Sequence, residues 1–495
     1  MNILLIYPKF PETFWSFTYA LPFIKKKSAF PPLGLLTVAA LLPQEWPKRL
    51  VDENTEALRD EELAWADLVL VGAMALQRKG AVQIIERCKG MGLKVVAGGP
   101  LFTAEPDAFG QVDHLILGEA ELTVSAFITD LKKGCPKRIY HADGYPDIQE
   151  SPVPLWDLIS MNRYASLNIQ YSRGCPFNCD FCNITALFGR KPRTKAPQQI
   201  VAELDAVYQA GWRGSIFFVD DNFIGNKRSL KEDLLPALTE WRKDKEGCVF
   251  FTEASINLAD DPELMTMMAK AGFDSVFIGI ETPDEESLTE CCKTHNKNRN
   301  LVADVKKIHR FGLQVMGGFI VGFDSDPPSI FQRQIDFIQQ SGVVTAMVGM
   351  LQAPPGTRLF ERLAREKRVC TEFSGDNVDG RTNIIPAMGL DNLLRGYRAM
   401  MKQIYAPRKY YQRIRYNLKE LKVPVATTPA DRQRVLAFLR ACVRLGVLGK
   451  ERFQYWRLLA WTLARKPRLL PLAVTLSIYG YHYRRIVEVH ILGYR

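Results

Sequence analysis

The chain has 495 residues, of which 47% are hydrophobic and 24% charged, a composition that provides ample material for a folded core. A chain of this length predicts two or three domains. Ten cysteines in so long a chain, with no signal peptide at its start, argue against a secreted disulfide scaffold. A reducing cytoplasm is therefore the expected compartment.

The positive charge is concentrated in the C-terminal tail. The formal net charge is +11, but residues 401–495 contain 20 Lys and Arg against four acidic residues. The first 400 residues are therefore net negative, by about five charges. Any function of the basic charge belongs to the tail.

The first 140 residues alternate short apolar strands with helical segments. Strands are predicted at 2–7, 67–71, 93–97 and 114–117, and helices at 33–42, 81–89 and 122–131. This alternation predicts a doubly wound α/β domain of the flavodoxin or Rossmann type, with helices on both faces of a parallel sheet. In such sheets, ligands bind at the carboxyl ends of the strands.

Glycines follow three of these predicted strands. Gly72 follows one strand, Gly98 and Gly99 follow another, and Gly118 with Glu119 follows a third. Because glycine has no side chain, the backbone at these turns can approach a ligand closely. Similar turns occur in α/β domains without a cofactor, so the glycines alone identify no ligand.

The rest of the chain divides into a linker, a second α/β domain and a helical extension. Residues 141–164 contain several prolines and predict an extended linker. Residues 165–370 predict six strands, at 167–171, 215–219, 249–253, 275–280, 313–320 and 344–351. Helical segments lie between them, at 197–209, 230–242, 262–271, 301–310 and 329–340. This alternation predicts a (β/α)6 partial barrel, whose functional residues lie at the carboxyl ends of the strands. Residues 371–495 are predicted to form a helical, basic extension.

One short loop of the second domain carries three cysteines, Cys175, Cys179 and Cys182, with the spacing C-x3-C-x2-C. Three thiolates leave one coordination site of a metal centre open. A structural zinc site needs a fourth Cys or His, and the following forty residues contain neither. A cubane iron–sulfur cluster tolerates an open iron that binds a substrate or cofactor. Polar residues between the cysteines argue against three ordinary core cysteines.

Polar residues also end three predicted barrel strands. Asp221 follows the second strand, Glu253 and Ser255 the third, and Glu281 the fourth. Carboxylates and a hydroxyl at one rim suit a ligand with ammonium and hydroxyl donors. The alternative for each acid is a cap for the next helix. Gly318 lies in a glycine-rich fifth strand that lets the backbone pass close to a ligand.

The cysteine loop resembles the signature of radical S-adenosylmethionine (SAM) enzymes. The resemblance implies that Cys175, Cys179 and Cys182 hold a [4Fe-4S] cluster whose open iron chelates SAM. One electron from the cluster would then cleave SAM to methionine and a 5'-deoxyadenosyl radical. The resemblance further implies SAM contacts by Phe181, which lies against the adenine, and by Asp221, Glu253, Ser255, Glu281 and Gly318.

The order of the domains resembles the radical SAM class that begins with a cobalamin-binding domain, over roughly residues 1–410. This resemblance implies cobalamin contacts by Gly72, Gly98, Gly99, Gly118 and Glu119. One departure concerns the motif D-x-H-x-x-G, whose His ligates cobalt in methyltransferases and mutases. That motif is missing from the sequence, where Asp113 and His114 are adjacent. The lower ligand of cobalt is left unassigned.

This class implies a C-methyltransferase that transfers a methyl group through cobalamin to an unactivated carbon. The organisation resembles hopanoid methylases and related enzymes, which implies a small-molecule or lipid substrate. A flavodoxin or ferredoxin is the implied electron donor. Two alternatives stay open: radical ring closure or rearrangement without methyl transfer, and a zinc-stabilised binding protein without enzymatic activity.

The C-terminal tail is aromatic and basic, with helical periodicity near 434–444 and 452–465. Such a composition is typical of a helical cap on the barrel or of a peripheral helix on anionic lipid. It also occurs on a nucleic-acid face, which is the least favoured of the three. The apolar run at 469–478 is too short to span a bilayer, which needs about 20 residues.

Overall fold

The computed structural model describes residues 1–422 and 432–494. Its first sheet has six parallel strands in the order β2-β1-β3-β4-β5-β6. The order 2-1-3-4-5 is that of flavodoxin-like doubly wound domains. The strands are β1 Ile3–Tyr7, β2 Lys48–Asp52, β3 Leu68–Gly72, β4 Lys94–Gly98, β5 His114–Ile116 and β6 Ile139–Tyr140.

Helices cover both faces of this sheet. They are α1 Leu33–Leu41, α2 Asp60–Trp65, α3 Arg78–Gly90, α4 Pro100–Ala104 and α5 Ala120–Lys132. Successive residues of β1 alternate between two apolar clusters, with Ile3 and Leu5 in one and Leu4 and Ile6 in the other. Such burial on both faces explains why β1 is an uninterrupted apolar run. The predicted doubly wound domain is confirmed.

Two strands of the first sheet were missed by the sequence analysis. β2 begins with Lys48 and Arg49 and lies at the edge of the sheet, so its sequence lacks the continuous apolar run of the central strands. β6 has two residues and lies at the opposite edge. Edge strands are short and polar in many sheets, which makes them difficult to recognise from sequence.

The segment 141–164 contains short 3-10 turns and no α-helix, and its assignment as a linker stays a prediction. Trp156 and Tyr164 are buried in the main apolar cluster. The Tyr164 hydroxyl donates to Asp52 Oδ2 at 2.9 Å. The end of the segment therefore contacts the first domain.

The second sheet has six parallel strands in sequence order, β7-β10-β11-β12-β13-β14. A small antiparallel ribbon joins β8 Ser172–Arg173 to β9 Arg193–Thr194. The barrel strands are β7 Ser166–Ile169, β10 Ser215–Phe218, β11 Val249–Ala254, β12 Phe273–Glu281, β13 Gln314–Val321 and β14 Ala346–Met350. The six strands confirm the predicted partial barrel.

Helices α6 to α14 connect these strands. Their bounds are α6 Ile184–Phe188, α7 Pro197–Gln209, α8 Lys227–Ser229, α9 Leu235–Trp241, α10 Pro262–Ala271, α11 Glu285–Glu290, α12 Leu301–Arg310, α13 Ile330–Ser341 and α14 Arg358–Arg365. α10 shows why some bounds were predicted correctly. The Asp261 side chain accepts from Leu264 N at its start, and Gly272 ends it with a φ of 103°.

The C-terminal extension is helical, as predicted. It contains α15 Leu390–Ile404, α16 Pro407–Glu420, α17 Arg432–Gly446, α18 Arg452–Arg465 and α19 Leu470–Ile486. Arg413 of α16 is fully buried and donates to the carbonyls of Ile404 and Val344. Among the helices of residues 1–422 and 432–494, none combines the length and the apolar character needed to cross a bilayer. The domain boundaries at 140, 164 and 370 stay predictions.

Candidate active site at the junction of the two sheets

A cavity of about 920 Å³ is lined by residues at the strand ends of both sheets. Ligand pockets in proteins range from about 300 to 1,000 Å³, so this cavity is large. The first domain contributes all five residues predicted for cobalamin: Gly72, Gly98, Gly99, Gly118 and Glu119. The barrel contributes Asp221 and Glu253, two of the residues predicted for SAM.

The glycines are required by the backbone and its neighbours. Gly99 has a φ of 97°, and a Cβ there would lie 3.1 Å from the carbonyl oxygen of Ala73. A Cβ at Gly72 would lie 2.9 Å from the Leu35 side chain. Gly118 differs, because its φ of 76° favours glycine although the space beside it is open. The lining at these turns is therefore backbone, which suits a large ligand in close contact.

Glu119 has a partner that the sequence did not reveal. Its carboxylate accepts from Arg173 at 2.6 Å and from Arg193 at 2.6 Å, and Arg173 also donates to Glu121 at 2.8 Å. Both arginines belong to the β8–β9 ribbon that flanks the cysteine loop. Glu119 therefore links the first domain to the barrel, and its predicted contact with cobalamin stays a prediction.

Aromatic side chains line another part of the cavity. Trp15, Phe30 and Phe217 face it, and the ring of Phe217 stacks on that of Phe251 with centroids 4.6 Å apart. Trp15 also packs on Phe277, with centroids 5.2 Å apart. Trp15 and Phe30 come from the long segment between β1 and α1, which the sequence analysis left without a role. Its density of aromatic residues was the available signal.

The cysteine loop is fixed by the backbone around it. Gly174 has a φ of 93°, and a Cβ there would lie 3.0 Å from the carbonyl oxygens of Phe188, Gly189 and Lys191. The Asp180 amide donates to the Cys291 carbonyl at 3.1 Å. The Asp180 carbonyl in turn accepts from the Leu359 amide at 3.0 Å. The loop is therefore held from both sides by barrel elements.

The three cysteine side chains of this loop are half-buried and free of disulfides. Burial raises the pKa of Cys179 to about 11 and of Cys182 to about 12, and the charges of neighbouring thiols act on both. Binding of a metal centre would deprotonate the thiols and release protons. Within the described residues, no three His, Cys, Asp or Glu side chains are arranged to hold a single metal ion. The thiolates of a cubane cluster bind separate irons, so that arrangement is not required of them.

The barrel rim carries carboxylates with few basic partners. Burial raises the pKa of Asp221 to about 6, and one of its buried carboxylate oxygens has no hydrogen-bond partner. Burial and the charges of Asp221, Asp220 and Glu281 together raise the pKa of Glu253 to about 8. A bound cation would stabilise the ionised form of both groups. The rim therefore fits the ammonium group of SAM.

Glu281 is already paired, which the sequence did not predict. Lys293 Nζ lies 2.6 Å from Glu281 Oε1, and both side chains are almost fully buried. Glu281 has a φ of 61°, a left-handed conformation that is uncommon for a residue with a side chain. Lys293 also lies 5.9 Å from the centre of the Phe181 ring. Lys293 is close enough to the cysteine loop for its charge to act on the thiols of Cys179 and Cys182, and its charged sequence context did not distinguish it from a surface lysine.

Ser255 connects to the cysteine loop through Asn222. The Ser255 amide donates to Asn222 Oδ1 at 3.2 Å, and Asn222 Nδ2 lies 3.9 Å from Cys175 Sγ. Gly318 lies under an aromatic ring, since a Cβ there would be 2.8 Å from Phe277 Cζ. Among the residues predicted for SAM, Phe181, Ser255, Glu281 and Gly318 do not line the cavity. Their contacts with SAM stay predictions.

His114 is an ordinary strand residue. It is buried, its Nδ1 lies 2.7 Å from the Lys137 carbonyl oxygen, and its ring packs against Phe127 with centroids 5.6 Å apart. The ring is not part of the cavity lining. The lower ligand of cobalt therefore stays unassigned.

Comparison with known proteins agrees with this architecture. Residues 169–338 match the radical SAM superfamily, and residues 357–493 match a domain of unknown function, DUF4070. The chain is 41% identical to the uncharacterized methyltransferase sll1242 of Synechocystis sp., over 99% of this chain and 93% of the relative. It is 35% identical to the hopanoid C-2 methylase of Rhodopseudomonas palustris, over 92% of this chain and 88% of the relative.

Solved structures share the fold at low sequence identity. The cobalamin-dependent radical SAM enzyme OxsB aligns with a TM-score of 0.63 and 15% identity, over 99% of this chain and 80% of its own. The radical SAM methyltransferase TsrM from Kitasatospora setae aligns with a TM-score of 0.59, over 75% of this chain and 76% of its own. The chain belongs to the family of the methyltransferase sll1242 and the hopanoid C-2 methylase, and it contains a radical SAM domain at residues 169–338.

Proposed function

We propose that this enzyme methylates an unactivated carbon of an apolar polycyclic lipid, and that one cavity brings together cobalamin, the substrate and part of the SAM site. The observation that carries the proposal is the lining of that cavity. It joins the glycine turns of the first sheet to Asp221 and Glu253 of the barrel. A group transferred between two cofactors and a substrate requires all three within reach of one another.

Cys175, Cys179 and Cys182 are the proposed ligands of the cluster. When bound, the cluster and SAM supply a radical that removes hydrogen from carbon, and cobalamin supplies the methyl group. The protein positions these groups and excludes water. Gly174 and the Asp180 backbone bonds hold the cysteine loop.

Asp221 and Glu253 are proposed to accept hydrogen bonds from the ammonium group and the ribose of SAM. Both are half-buried at the cavity wall, where a charge-assisted hydrogen bond is stronger than in water. Both are partly protonated near neutral pH in the free protein, because burial raises their pKa values. SAM binding would therefore displace protons from this rim. Phe181 is proposed to contact the adenine, and Ser255, Glu281 and Gly318 to complete the SAM site.

The glycine turns after β3, β4 and β5 are proposed to contact cobalamin. Their backbone is exposed to the cavity without side chains between it and a ligand. The aromatic wall formed by Trp15, Phe30 and Phe217 is proposed to bind the substrate. Flat aromatic surfaces bury rigid apolar rings with little loss of side-chain entropy.

A hopanoid or a similar polycyclic lipid is the proposed substrate class. A relative that is 35% identical over most of both chains carries the name hopanoid C-2 methylase. A flavodoxin or ferredoxin is the proposed electron donor. Contact with a membrane, through the basic C-terminal extension, is proposed as the route by which a lipid substrate is reached.

Product mass tests this function. The cluster-loaded enzyme is incubated anaerobically with a reductant, cobalamin, a hopanoid and SAM that carries a deuterated methyl group. The expected product gains one carbon with the label. Cys179→Ala should give no product. The control Cys135→Ala changes an exposed cysteine outside the cysteine loop and should keep activity.

Two results would contradict the proposal. A product without an added carbon would support radical ring closure. Protein that binds zinc, takes up no iron and sulfide, and transforms no lipid would support a binding protein.

A further inference from the structure

The hairpin of α17 and α18 concentrates exposed apolar side chains. Of the twenty large hydrophobic side chains that are exposed in the described residues, nine lie between residues 432 and 465. We name these nine residues the hairpin patch: Val435, Leu436, Leu439, Val443, Val447, Leu448, Phe453, Trp456 and Leu463. Monomeric proteins seldom expose large apolar patches without a binding partner.

The hairpin patch runs along α17 and reaches the turn between α17 and α18, which is the tip of the hairpin. Val435, Leu439 and Val443 follow each other at intervals of four, so they share one side of α17, and Val447 comes directly after the end of that helix. Leu448, at the tip, is 76% exposed, and Phe453, at the start of α18, is 74% exposed. The Trp456 indole donates to the Gly446 carbonyl at 2.9 Å, which joins the two helices beside the tip.

The charges around the patch are positive. Residues 432–465 contain eight Lys and Arg and one acidic residue, Glu451. Glu451 is buried and pairs with Arg484 at 2.8 Å. Within this described stretch, the exposed formal charges are therefore all positive. A second copy of the chain on a twofold axis would meet the same basic surface, which disfavours self-association.

We propose that the hairpin patch docks on the surface of an anionic lipid bilayer. Leu448 and Phe453 insert at the tip, Trp456 lies at the level of the headgroups, and the basic side chains contact anionic lipid. Apolar burial and positive charge together are the two contributions that hold a peripheral helix on such a membrane.

The docked hairpin would bring the cavity close to the lipid. Gln433 of α17 donates to the Ile24 carbonyl at 2.7 Å, and Arg440 donates to the Phe23 carbonyl at 2.6 Å. The same segment contributes Leu21 and Lys27 to the cavity lining. One segment therefore contacts both the membrane-facing helix and the proposed substrate site.

Vesicle sedimentation with the full-length protein tests this surface. Vesicles contain phosphatidylcholine alone or phosphatidylcholine with phosphatidylglycerol. The wild-type protein should bind the anionic vesicles preferentially, and added salt should weaken the binding. The double variant Leu448→Ser/Phe453→Ser should bind at least about tenfold more weakly, because full burial of either side chain contributes about a factor of ten or more. Lys450→Glu/Arg452→Glu should also bind about tenfold more weakly.

A matched control changes exposed apolar residues elsewhere. Leu122→Ser/Ile385→Ser should bind like the wild-type protein, and circular dichroism should show all variants folded. The proposal is overturned if the wild-type protein ignores anionic vesicles, or if the tip variant binds as well as the control. It is also overturned if the wild-type protein forms a dimer that the tip variant loses and neither binds vesicles. The assay needs no turnover, so its outcome is independent of the proposed methylation.

Discussion

The ion pairs between the first domain and the cysteine loop provide a quantitative prediction. Arg173 is two residues from the first cysteine and lies between Glu119 and Glu121, at 2.6 and 2.8 Å. Its side chain is 12% exposed. The variant Arg173→Met keeps much of the apolar stem but removes the charge, which leaves two buried carboxylates with one fewer partner.

The magnitude follows from the pKa of Glu121. Burial alone would raise this pKa, but the hydrogen bonds and charge of Arg173 outweigh burial and lower the pKa from 4.5 to about 2. A carboxylate whose pKa is lower in the folded state than in the unfolded state stabilises the fold. For Glu121 this stabilisation is complete above pH 4.5 and is lost as the pH falls towards 2. The difference corresponds to about 3 kcal/mol at pH 7. Loss of one partner of a buried ion pair typically costs about 3–5 kcal/mol.

Urea unfolding at pH 7, followed by circular dichroism, measures this cost. Arg173→Met should lower the free energy of unfolding by about 3 kcal/mol. The control Arg228→Met removes an exposed arginine that pairs with Glu232 at 2.9 Å, and it should cost less than about 1 kcal/mol. Adding Glu121→Gln to Arg173→Met should restore part of the stability. Equal stability of the Arg173 and Arg228 variants would refute the reasoning.

Three further predictions concern single buried groups. Burial and neighbouring carboxylates raise the pKa of Glu253 to about 8, so this side chain ionises between pH 6.5 and 8.5. SAM affinity should therefore rise about tenfold or more over this pH range. Calorimetry should show that Glu253→Gln removes this rise. Gly279→Ala should destabilise the protein by about 1–3 kcal/mol, because the new Cβ would clash with the Glu281 carboxylate, which is held by Lys293. An unchanged melting temperature would contradict this. Burial lowers the pKa of His309 to about 3, so the unfolded state binds more protons below pH 6.5. Stability should therefore fall by about 2 kcal/mol from this group by pH 5, and His309→Gln should unfold with a weaker pH dependence.

Local signals made much of the fold predictable. α7, α10 and α12 were predicted to the residue, since Pro, Asp or Asn at the start and Gly after the end define them. The barrel strands are apolar runs between such helices, and all six were predicted near their observed bounds. The cysteine loop was recognisable because its three cysteines lie close together in the sequence. The acidic residues after the strands were recognisable because the carboxyl ends of parallel strands lie at the same rim of the barrel.

Contacts between distant residues were not predictable in the same way. Arg173 and Arg193 meet Glu119 across 54 and 74 residues of sequence, and no local pattern connects them. Lys293 pairs with Glu281 only because the chain after β12 folds back over the strand end. The aromatic wall at Trp15 depends on the packing of an irregular segment against the barrel, which residue spacing does not encode.

Reductive cleavage of SAM tests the central claim most directly. Anaerobically reconstituted protein should contain about four irons per chain and should release 5'-deoxyadenosine from SAM when a reductant is added. Cys179→Ala should lose both properties, whereas Cys135→Ala should keep both. Release of 5'-deoxyadenosine by Cys179→Ala at the wild-type rate would contradict the account.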